Sequence, residues 1–152
     1  MSNWTHVAAV ARIDAIRLDG EEIMDFDKIF GKSIPDDDSD GDFELEFSDI
    51  WKYAEEHPEE FMPFGSEGGV KRVVHVNEPC HLAAYDVMIF GDLRDHHDPG
   101  AVIDWFKKAC DKVCIRQACI DVVNEWYGPR TWSYDYSAFE KYMSVFEDEE
   151  EK

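Results

Sequence analysis

The pattern of apolar and polar residues predicts a strand near the start of the chain. In residues 5–16, small or apolar side chains alternate with polar ones, and a period of two indicates a strand with one buried face. The positions on the buried face are Val7, Ala9, Ala11 and Ile13. Residues 43–47, FELEF, alternate in the same way and predict a second strand, and Ser48 then caps a helix that ends before Pro58.

Four segments in the second half of the chain predict further strands. Residues 70–76 follow the break GSEGG and lead through the turn NEPCH into residues 83–93, so these two segments predict a hairpin. Residues 115–126 alternate again, and the turn YGPR leads to a short partner strand at 131–136.

Two segments have the apolar period of an amphipathic helix. Residues 98–113 begin with Asp98 as N-cap and Pro99 at the first helical position. Their apolar stripe is Val102, Trp105, Phe106, Ala109 and Val113. Residues 137–152 begin with a capping box and end in an acidic tail at 147–152. The apolar stripe of this second helix is Phe139, Tyr142, Met143 and Phe146.

The order of these elements predicts an α+β fold, a ferredoxin-like two-layer sandwich with an antiparallel sheet and helices on one face. The last strand and the C-terminal amphipathic helix are additions to it. A length of 152 residues with 44% apolar content suits a single domain, 1–152, with an acidic loop at 35–47. Such a sandwich leaves one sheet face uncovered by its own two helices. Strand alternation predicts on that face Arg12, Asp14, His75, Met88, Phe90, Asp92, Arg94, Gln117, Asp121 and Glu125.

Charge narrows the range of partners. The chain has 35 acidic and 15 basic residues, a formal net charge of -20, and therefore repels phosphate backbones and anionic membrane surfaces. We expect no direct contact with nucleic acid or membrane, and we expect a basic protein as partner. The first 18 residues lack both the basic start of a signal peptide and the apolar length of a membrane span. The protein is expected to be soluble and intracellular.

The acidic stretch at 35–47, PDDDSDGDFELEF, resembles the start of a calcium-binding EF-hand loop. Asp36, Asp38, Asp40 and Gly41 match the opening of that loop, but its twelfth position, which requires a bidentate Glu, is Phe47. We therefore predict no metal site there. The remaining interpretations are a solvated charged linker and a set of carboxylates that imitates nucleic-acid phosphates.

Two polar turns carry candidate chemistry. The sequence DLRDHHD at 92–98 contains potential metal ligands in Asp92, Asp95, His96 and His97, but no further ligand at helical spacing supports them, and a polar turn between strand and helix is the preferred interpretation. The sequence GSEGG at 65–69 lacks the lysine of a phosphate-binding loop and precedes a strand, so it predicts a flexible turn.

The four cysteines are interpreted as free, buried thiols. Cys80, Cys110, Cys114 and Cys119 form no CxxC pair, and a chain of this size does not need disulfides for stability. The sequence also contains no GxSxG, HExxH or kinase signature. We predict that the protein is not an enzyme and uses no cofactor.

Residues 63–135 resemble a group of small uncharacterised proteins encoded by phages and prophages of Gram-positive bacteria. The residues that carry this resemblance are Gly65, Ser66, Glu67, Gly68, the run from Phe90 to Asp95, Trp105, Phe106, Trp132 and Tyr134. The resemblance implies a phage setting and says nothing about chemistry. The acidic loop and the acidic tail lie outside it.

Together these observations predict an acidic, non-enzymatic phage protein that inhibits a nucleic-acid-binding defence protein in the host cytoplasm, anti-CRISPR-like or otherwise anti-defence, by nucleic-acid mimicry or occlusion. The predicted contact residues are Asp36, Asp37, Asp38, Asp40, Asp42, Glu44, Glu46, Phe90, Asp92 and Arg94. Two alternatives stay open. One is a binder or sponge of a small signalling ligand, held between the sheet face and the turns GSEGG and GDLRDHH. The other is a metal-dependent enzyme that uses His96 and His97.

Overall fold

The computed structural model describes residues 2–14, 24–34, 44–77 and 83–134, with side chains left undescribed for 44–48 and 83. The strands are β1 (Trp4–Asp14), β2 (Lys71–Val76), β3 (Ala83–Arg94), β4 (Ile115–Asn124) and β5 (Gly128–Ser133). The helices are α1 (Phe26–Phe30), α2 (Glu44–Glu56), a short 3-10 helix (Pro58–Glu60) and α3 (Pro99–Cys110). Among the described residues, no helix has the length and apolar character needed to cross a lipid bilayer.

The five strands form one sheet in the order β2-β3-β1-β4-β5, and every neighbouring pair is antiparallel. The fold is therefore α+β with an antiparallel sheet. β1 is the central strand, with β3 on one side and β4 on the other, so the two longest runs of pairing meet on the first strand of the chain. The predicted antiparallel pairing of β2 with β3 is confirmed. A short partner strand follows β4 as predicted, but it is Gly128–Ser133 and not 131–136, because Gly128, Pro129 and Arg130 of the predicted turn YGPR already pair with β4.

The main core lies on one face of the sheet, where α1 and α3 pack. The predicted inward residues of β1, Val7, Ala9, Ala11 and Ile13, are all buried in it. α3 contributes its predicted apolar stripe, with Phe106 fully buried and Trp105 partly buried. The Trp105 indole Nε1–H donates to the carbonyl of Phe30 at 2.7 Å, which holds α1 beside α3. Asp98 caps α3 as predicted, since its carboxylate accepts a hydrogen bond from Ala101 N at 3.0 Å.

The prediction of a strand at FELEF was wrong, because α2 begins at Glu44 and runs through this segment to Glu56. The predicted cap at Ser48 is wrong for the same reason. A second, smaller cluster of apolar side chains explains why this segment is helical. In this cluster, Ala54 and Trp51 of α2 pack with Ile34, Phe61 and Phe64. Burial of one helix side against this cluster outweighs the short alternating pattern.

One residue predicted on the uncovered sheet face is buried instead. Asp14 is 4% exposed, and the pairing of β1 shifts register at Ile13/Asp14 with β3 and at Arg12/Ile13 with β4. Such a register shift interrupts the alternation of side chains between faces. The Asp14 carboxylate accepts hydrogen bonds from Arg116 Nε at 2.6 Å and from Cys114 Sγ at 3.3 Å.

Three predicted features lie wholly or mostly outside the described residues. These are residues 35–43 of the acidic loop predicted at 35–47, the turn at 77–81 apart from Asn77, and the C-terminal amphipathic helix with its acidic tail.

Candidate functional site

The sheet face opposite α1 and α3, here called the open face, presents apolar side chains to solvent. Val73, Met88 and Val10 are directly opposed on β2, β3 and β1, and Cys119 of β4 continues the line. We call these four residues the apolar row. The exposed fractions are 46% for Val73, 48% for Met88 and 38% for Val10. Contiguous exposed apolar surface on a strongly charged protein is typical of an interaction surface.

Charged side chains border the apolar row toward one end of the sheet. The His6 ring on β1 lies between two carboxylates, with Nδ1 at 2.6 Å from Asp92 Oδ1 and Nε2 at 3.4 Å from Glu125 Oε1. The hydrogen bond to Asp92, more than any other contact, raises the pKa of His6 above its ordinary value of 6.5. At this end the face therefore carries an imidazole that takes up a proton more readily than usual, flanked by two carboxylates.

A second charged cluster borders the other end of the row. Arg12 Nε donates to Asp86 Oδ1 at 3.0 Å, and Asn77 Nδ2 donates to Asp86 Oδ2 at 3.0 Å. These two hydrogen bonds lower the pKa of Asp86, the bond from Arg12 most of all. Arg12, Asp86 and Asn77 therefore form a hydrogen-bonded polar cluster at this end of the open face.

The strand register places most of the predicted open-face residues as expected. Arg12, His75, Met88, Phe90, Asp92, Gln117 and Asp121 are on this face. Glu125 comes directly after the end of β4 and reaches the open face through its contact with His6. Arg94 ends β3 and is held by Glu67 Oε1 at 2.6 Å and by Ser2 Oγ at 3.0 Å. Of the predicted partner-binding residues, Phe90 and Asp92 therefore share an exposed surface, whereas Arg94 holds the turn beside it.

Of the acidic residues predicted to bind the partner, the structure describes only the two that belong to α2. Asp36, Asp37, Asp38, Asp40 and Asp42 lie outside the described residues, and Glu44 and Glu46 form the first turn of α2. Further along, Asp49, Glu55 and Glu56 are exposed, and Lys52 is the single basic residue of the helix. The acidic run in the sequence therefore continues along a helix, where the prediction had a strand.

The acidic helix also exposes two large apolar side chains. Ile50 is 38% exposed and Tyr53 is 43% exposed. The Tyr53 hydroxyl donates to Glu60 Oε2, and its ring stacks on His57 with centroids 4.3 Å apart. The bond to Glu60 is the largest cause of a raised Tyr53 pKa. Ile50 and Tyr53, with Asp49, line a shallow cavity of about 410 Å³.

The turn at 92–98 is a polar connection, as predicted. His97 stacks on Trp126 at 5.5 Å and its Nδ1 lies 3.0 Å from Asn3 Nδ2. His96 is partly buried, and burial lowers its pKa. Its carbonyl accepts hydrogen bonds from Thr5 and Asn124. Among the described residues, no group of three or more His, Cys, Asp or Glu side chains is placed to hold a metal ion.

The turn at 65–69 is confirmed, but backbone hydrogen bonds tie it to the end of β3. Ser66 N donates to the carbonyl of Arg94 at 2.8 Å, and Arg94 N donates to the carbonyl of Glu67 at 3.0 Å. The Arg94 side chain adds its ion pair with Glu67. These contacts therefore restrict the backbone of the turn more than its glycines alone would suggest. The two turns proposed to enclose a small ligand contact each other directly.

The thiols divide into two environments. Cys110 and Cys114 are free and buried as predicted. Burial raises the pKa of Cys110 to about 12, and burial with a hydrogen bond to Asp14 raises that of Cys114 to about 11. The prediction that Cys119 is buried was wrong, because it lies on the open face between the inward residues Ala118 and Ile120. Cys80 lies outside the described residues.

The sequence pattern had already placed His6 on the face opposite the buried one, but it missed Val10 and Val123 on the exposed surface and Ile50 and Tyr53 on the acidic helix. The signal for Val10 and Val123 was present, since they alternate with buried neighbours on β1 and β4. The last two required knowledge that α2 is a helix packed on one side.

Comparison with protein-family models, with curated proteins and with solved structures found no match. Four of the residues on which the predicted resemblance to phage proteins depends lie in or against the core. Phe106 and Trp132 meet edge to face at 5.9 Å, and Trp105 and Tyr134 pack against the same core. These four residues therefore stabilise the fold, and Phe90 and Asp92 lie on the open face.

Proposed function

We propose that this protein is a non-enzymatic acidic binding protein that blocks a basic, nucleic-acid-binding defence protein in the cytoplasm of a bacterial host. The observation that carries the proposal is the acidic helix α2, which exposes Asp49, Glu55 and Glu56 together with the apolar side chains of Ile50 and Tyr53. The resemblance of residues 63–135 to phage proteins supports the biological setting. The net charge of -20 supports a basic partner.

The arrangement of α2 supports docking of a protein. Asp49 and Glu56 are seven residues apart, so both lie on the same helix side, with Tyr53 between them. Ala54 on the opposite side is fully buried and anchors the helix. Carboxylates attract a basic channel at long range, and a central aromatic side chain supplies contact area once water is excluded.

The acidic stretch at 36–42 directly precedes α2 in sequence and extends the same charge. Carboxylates that replace phosphates release the ions bound to the partner, so affinity falls as salt rises. Phe90 and Asp92 provide a second contact area on the open face.

The test compares two double variants with the same change in charge. The first neutralises α2 by Asp49→Asn and Glu56→Gln. The second neutralises exposed acids on α3 and in the turn after it by Asp104→Asn and Asp111→Asn. Proteins captured from host lysate are challenged with double-stranded DNA, and the affinity of the displaced protein is measured at two salt concentrations.

The expected result is a basic partner that DNA displaces, with affinity reduced about tenfold or more by the α2 variant and little changed by the control. Equal weakening by both variants would show that net charge alone matters. Unchanged binding by the α2 variant would overturn the proposal.

We infer in addition that the fold is ferredoxin-like. The order β2-β3-β1-β4 and the antiparallel pairing support this topology. Helices between β1 and β2 and between β3 and β4 complete the repeated β-α-β pattern, and β5 is added beside β4.

Binding of a small signalling ligand is a second candidate, at a groove of about 750 Å³ between α1 and α3 and not at the turns GSEGG and GDLRDHH where the sequence predicted it. This volume is in the range of small-molecule sites. Trp105 and Lys108 line the groove, whereas Lys107 on the same helix contacts the Trp132 ring. A ligand in the groove should change tryptophan fluorescence in a titration. Lys108→Ala should weaken that binding, and Lys107→Ala should not.

A further inference from the structure

The shallow cavity beside α2 has mainly apolar walls. Ile50 and Tyr53 form its α2 side, and Phe61, of which only 8% is exposed, also lines it. The rings of Tyr53 and Phe61 meet edge to face with centroids 6.1 Å apart. The cavity therefore offers aromatic and aliphatic carbon to a side chain that enters it.

Hydrogen bonds and ring stacking hold these walls in place. Lys32 N donates to the carbonyl of Glu60 at 2.9 Å, and Met62 N donates to the carbonyl of Lys32 at 2.9 Å. The Tyr53 ring is fixed by its hydroxyl bond to Glu60 and by its stacking on His57. Because the walls are fixed before binding, an occupant loses little free energy to ordering them.

Charged side chains also line the cavity. Asp49 is exposed and comes four residues before Tyr53, so the two side chains are neighbours on the helix surface. Lys32 lines the cavity as well and is exposed. A cation in the cavity therefore meets an attractive carboxylate beside an aromatic ring, and a repulsive ammonium whose effect can be tested by substitution.

We propose that this cavity receives an arginine side chain of the partner. The aliphatic stem of the arginine lies against Ile50 and Phe61. Its guanidinium packs on the Tyr53 ring and pairs with the Asp49 carboxylate. A guanidinium suits this combination because it is planar and weakly hydrated, stacks on aromatic rings and pairs with carboxylates. The proposal rests on the basic partner proposed above and specifies which kind of residue of that partner makes the contact.

Other side chains suit the cavity less well. A purely apolar side chain would cover the walls but would remove water from the Asp49 carboxylate without replacing it by a partner. A lysine would pair with Asp49, but its ammonium is strongly hydrated and gains less from the aromatic ring. An acidic side chain is repelled by a protein with a net charge of -20.

Three peptides with capped ends test the occupant without any protein from a host. They share the sequence Gly-Ser-X-Ser-Gly, in which X is arginine, lysine or leucine. The full-length protein is titrated with each peptide, and the NMR signals of the Ile50 and Phe61 backbone amides measure the affinity. We expect the arginine peptide to bind in about the millimolar range. It should bind about two- to fivefold more tightly than the other two peptides.

Single substitutions test the charges of the cavity. Asp49→Asn should weaken binding of the arginine peptide about two- to fivefold and leave the leucine peptide unaffected. Asp111→Asn, in the turn after α3, makes the same change in charge outside the cavity and should affect neither peptide. Lys32→Gln should strengthen binding of the arginine peptide because it removes a like charge. Lys52→Gln, on α2 but outside the cavity, should have a smaller effect.

Binding of the leucine peptide as tight as that of the arginine peptide would assign the cavity to an apolar side chain and overturn the proposal. Equal binding of the arginine and lysine peptides, no binding of the arginine peptide, or an unchanged affinity in Asp49→Asn would also overturn it. Arginine-specific binding without a DNA-displaced partner in host lysate would support the cavity and refute the proposed blocking function. A DNA-displaced partner without arginine-specific binding would refute the assignment of the cavity alone.

Discussion

His6 Nδ1 lies 2.6 Å from Asp92 Oδ1, and this contact joins β1 to β3 on the open face. The charged form of His6 is favoured because the proton is shared with a carboxylate, and the pKa of His6 is raised as a result. The pair also separates the apolar residues of the face from the polar turn that follows β3.

Asp92→Asn should lower the pKa of His6 toward its ordinary value of 6.5, since Asp92 is the largest cause of the rise. Glu125 remains as the weaker partner. Titration of the histidine ring protons by NMR measures this change. His75→Gln, on β2, is the control and should leave the pKa of His6 unchanged, whereas an unchanged value in Asp92→Asn would contradict the contact.

The same pair has a defined effect of pH on stability. Because the folded-state pKa of His6 is raised, its contribution is fully present below the unfolded-state pKa and is lost as pH rises through the folded-state pKa. We expect His6→Gln to cost less than about 1 kcal/mol at about pH 6 and nearly nothing at about pH 9, as for an exposed ion pair. Urea unfolding at both pH values measures the difference, and a larger cost at the higher pH would contradict the sign.

Asp14→Ala should destabilise the fold by about 2 kcal/mol, because it removes a buried acceptor and leaves Arg116 without its carboxylate. Asp121→Ala on β4 is the control, since Asp121 is exposed on the open face. It should change the free energy of unfolding by no more than about 0.5 kcal/mol. Equal effects in denaturant titrations of the two variants would refute a special role of Asp14.

Gly91→Ala should destabilise the protein by about 1–3 kcal/mol through overpacking. A Cβ at this position would lie 2.5 Å from the carbonyl oxygen of Gly69 and 2.7 Å from Val70 Cα, both backbone atoms. In Gly100→Ala the nearest atom is the Asp98 side chain at 3.3 Å, and the residue is helical. This control should be neutral or stabilised by up to about 1 kcal/mol. Thermal melts of the two variants measure the difference in their stability.

Cys110 and Cys114 should resist a polar thiol reagent in the native protein. Both are buried, and their pKa values are raised to about 12 and about 11, so little thiolate forms. With Cys80→Ser and Cys119→Ser in place, labelling should be at least about a hundredfold slower than in denaturant, because the reagent requires local unfolding. Rapid native labelling would contradict the burial of α3 against the sheet.

The sequence alone determined the elements whose pattern is long and whose ends carry local signals. β1 and β4 alternate over ten or more residues, and α3 has both an N-cap at Asp98 and an apolar stripe. Each of these signals acts between residues close in the chain, so no partner element is needed to interpret it. The exposure of Phe90 and Asp92 also followed from alternation.

Tertiary structure decided three features that the sequence left open or got wrong. The five alternating residues of FELEF fit a strand. Helix formation at α2 instead depends on the burial of Ala54 against Phe61, and Phe61 lies outside the helix in the chain. Asp14 is buried because the strand pairing shifts register there. Val10 and Met88 are as apolar as the residues of the opposite face. Alternation predicted that Val7, Ala9, Ala11 and Ile13 form the buried face of β1, but the exposure of apolar Val10 follows only from the packing of α1 and α3 on that buried face.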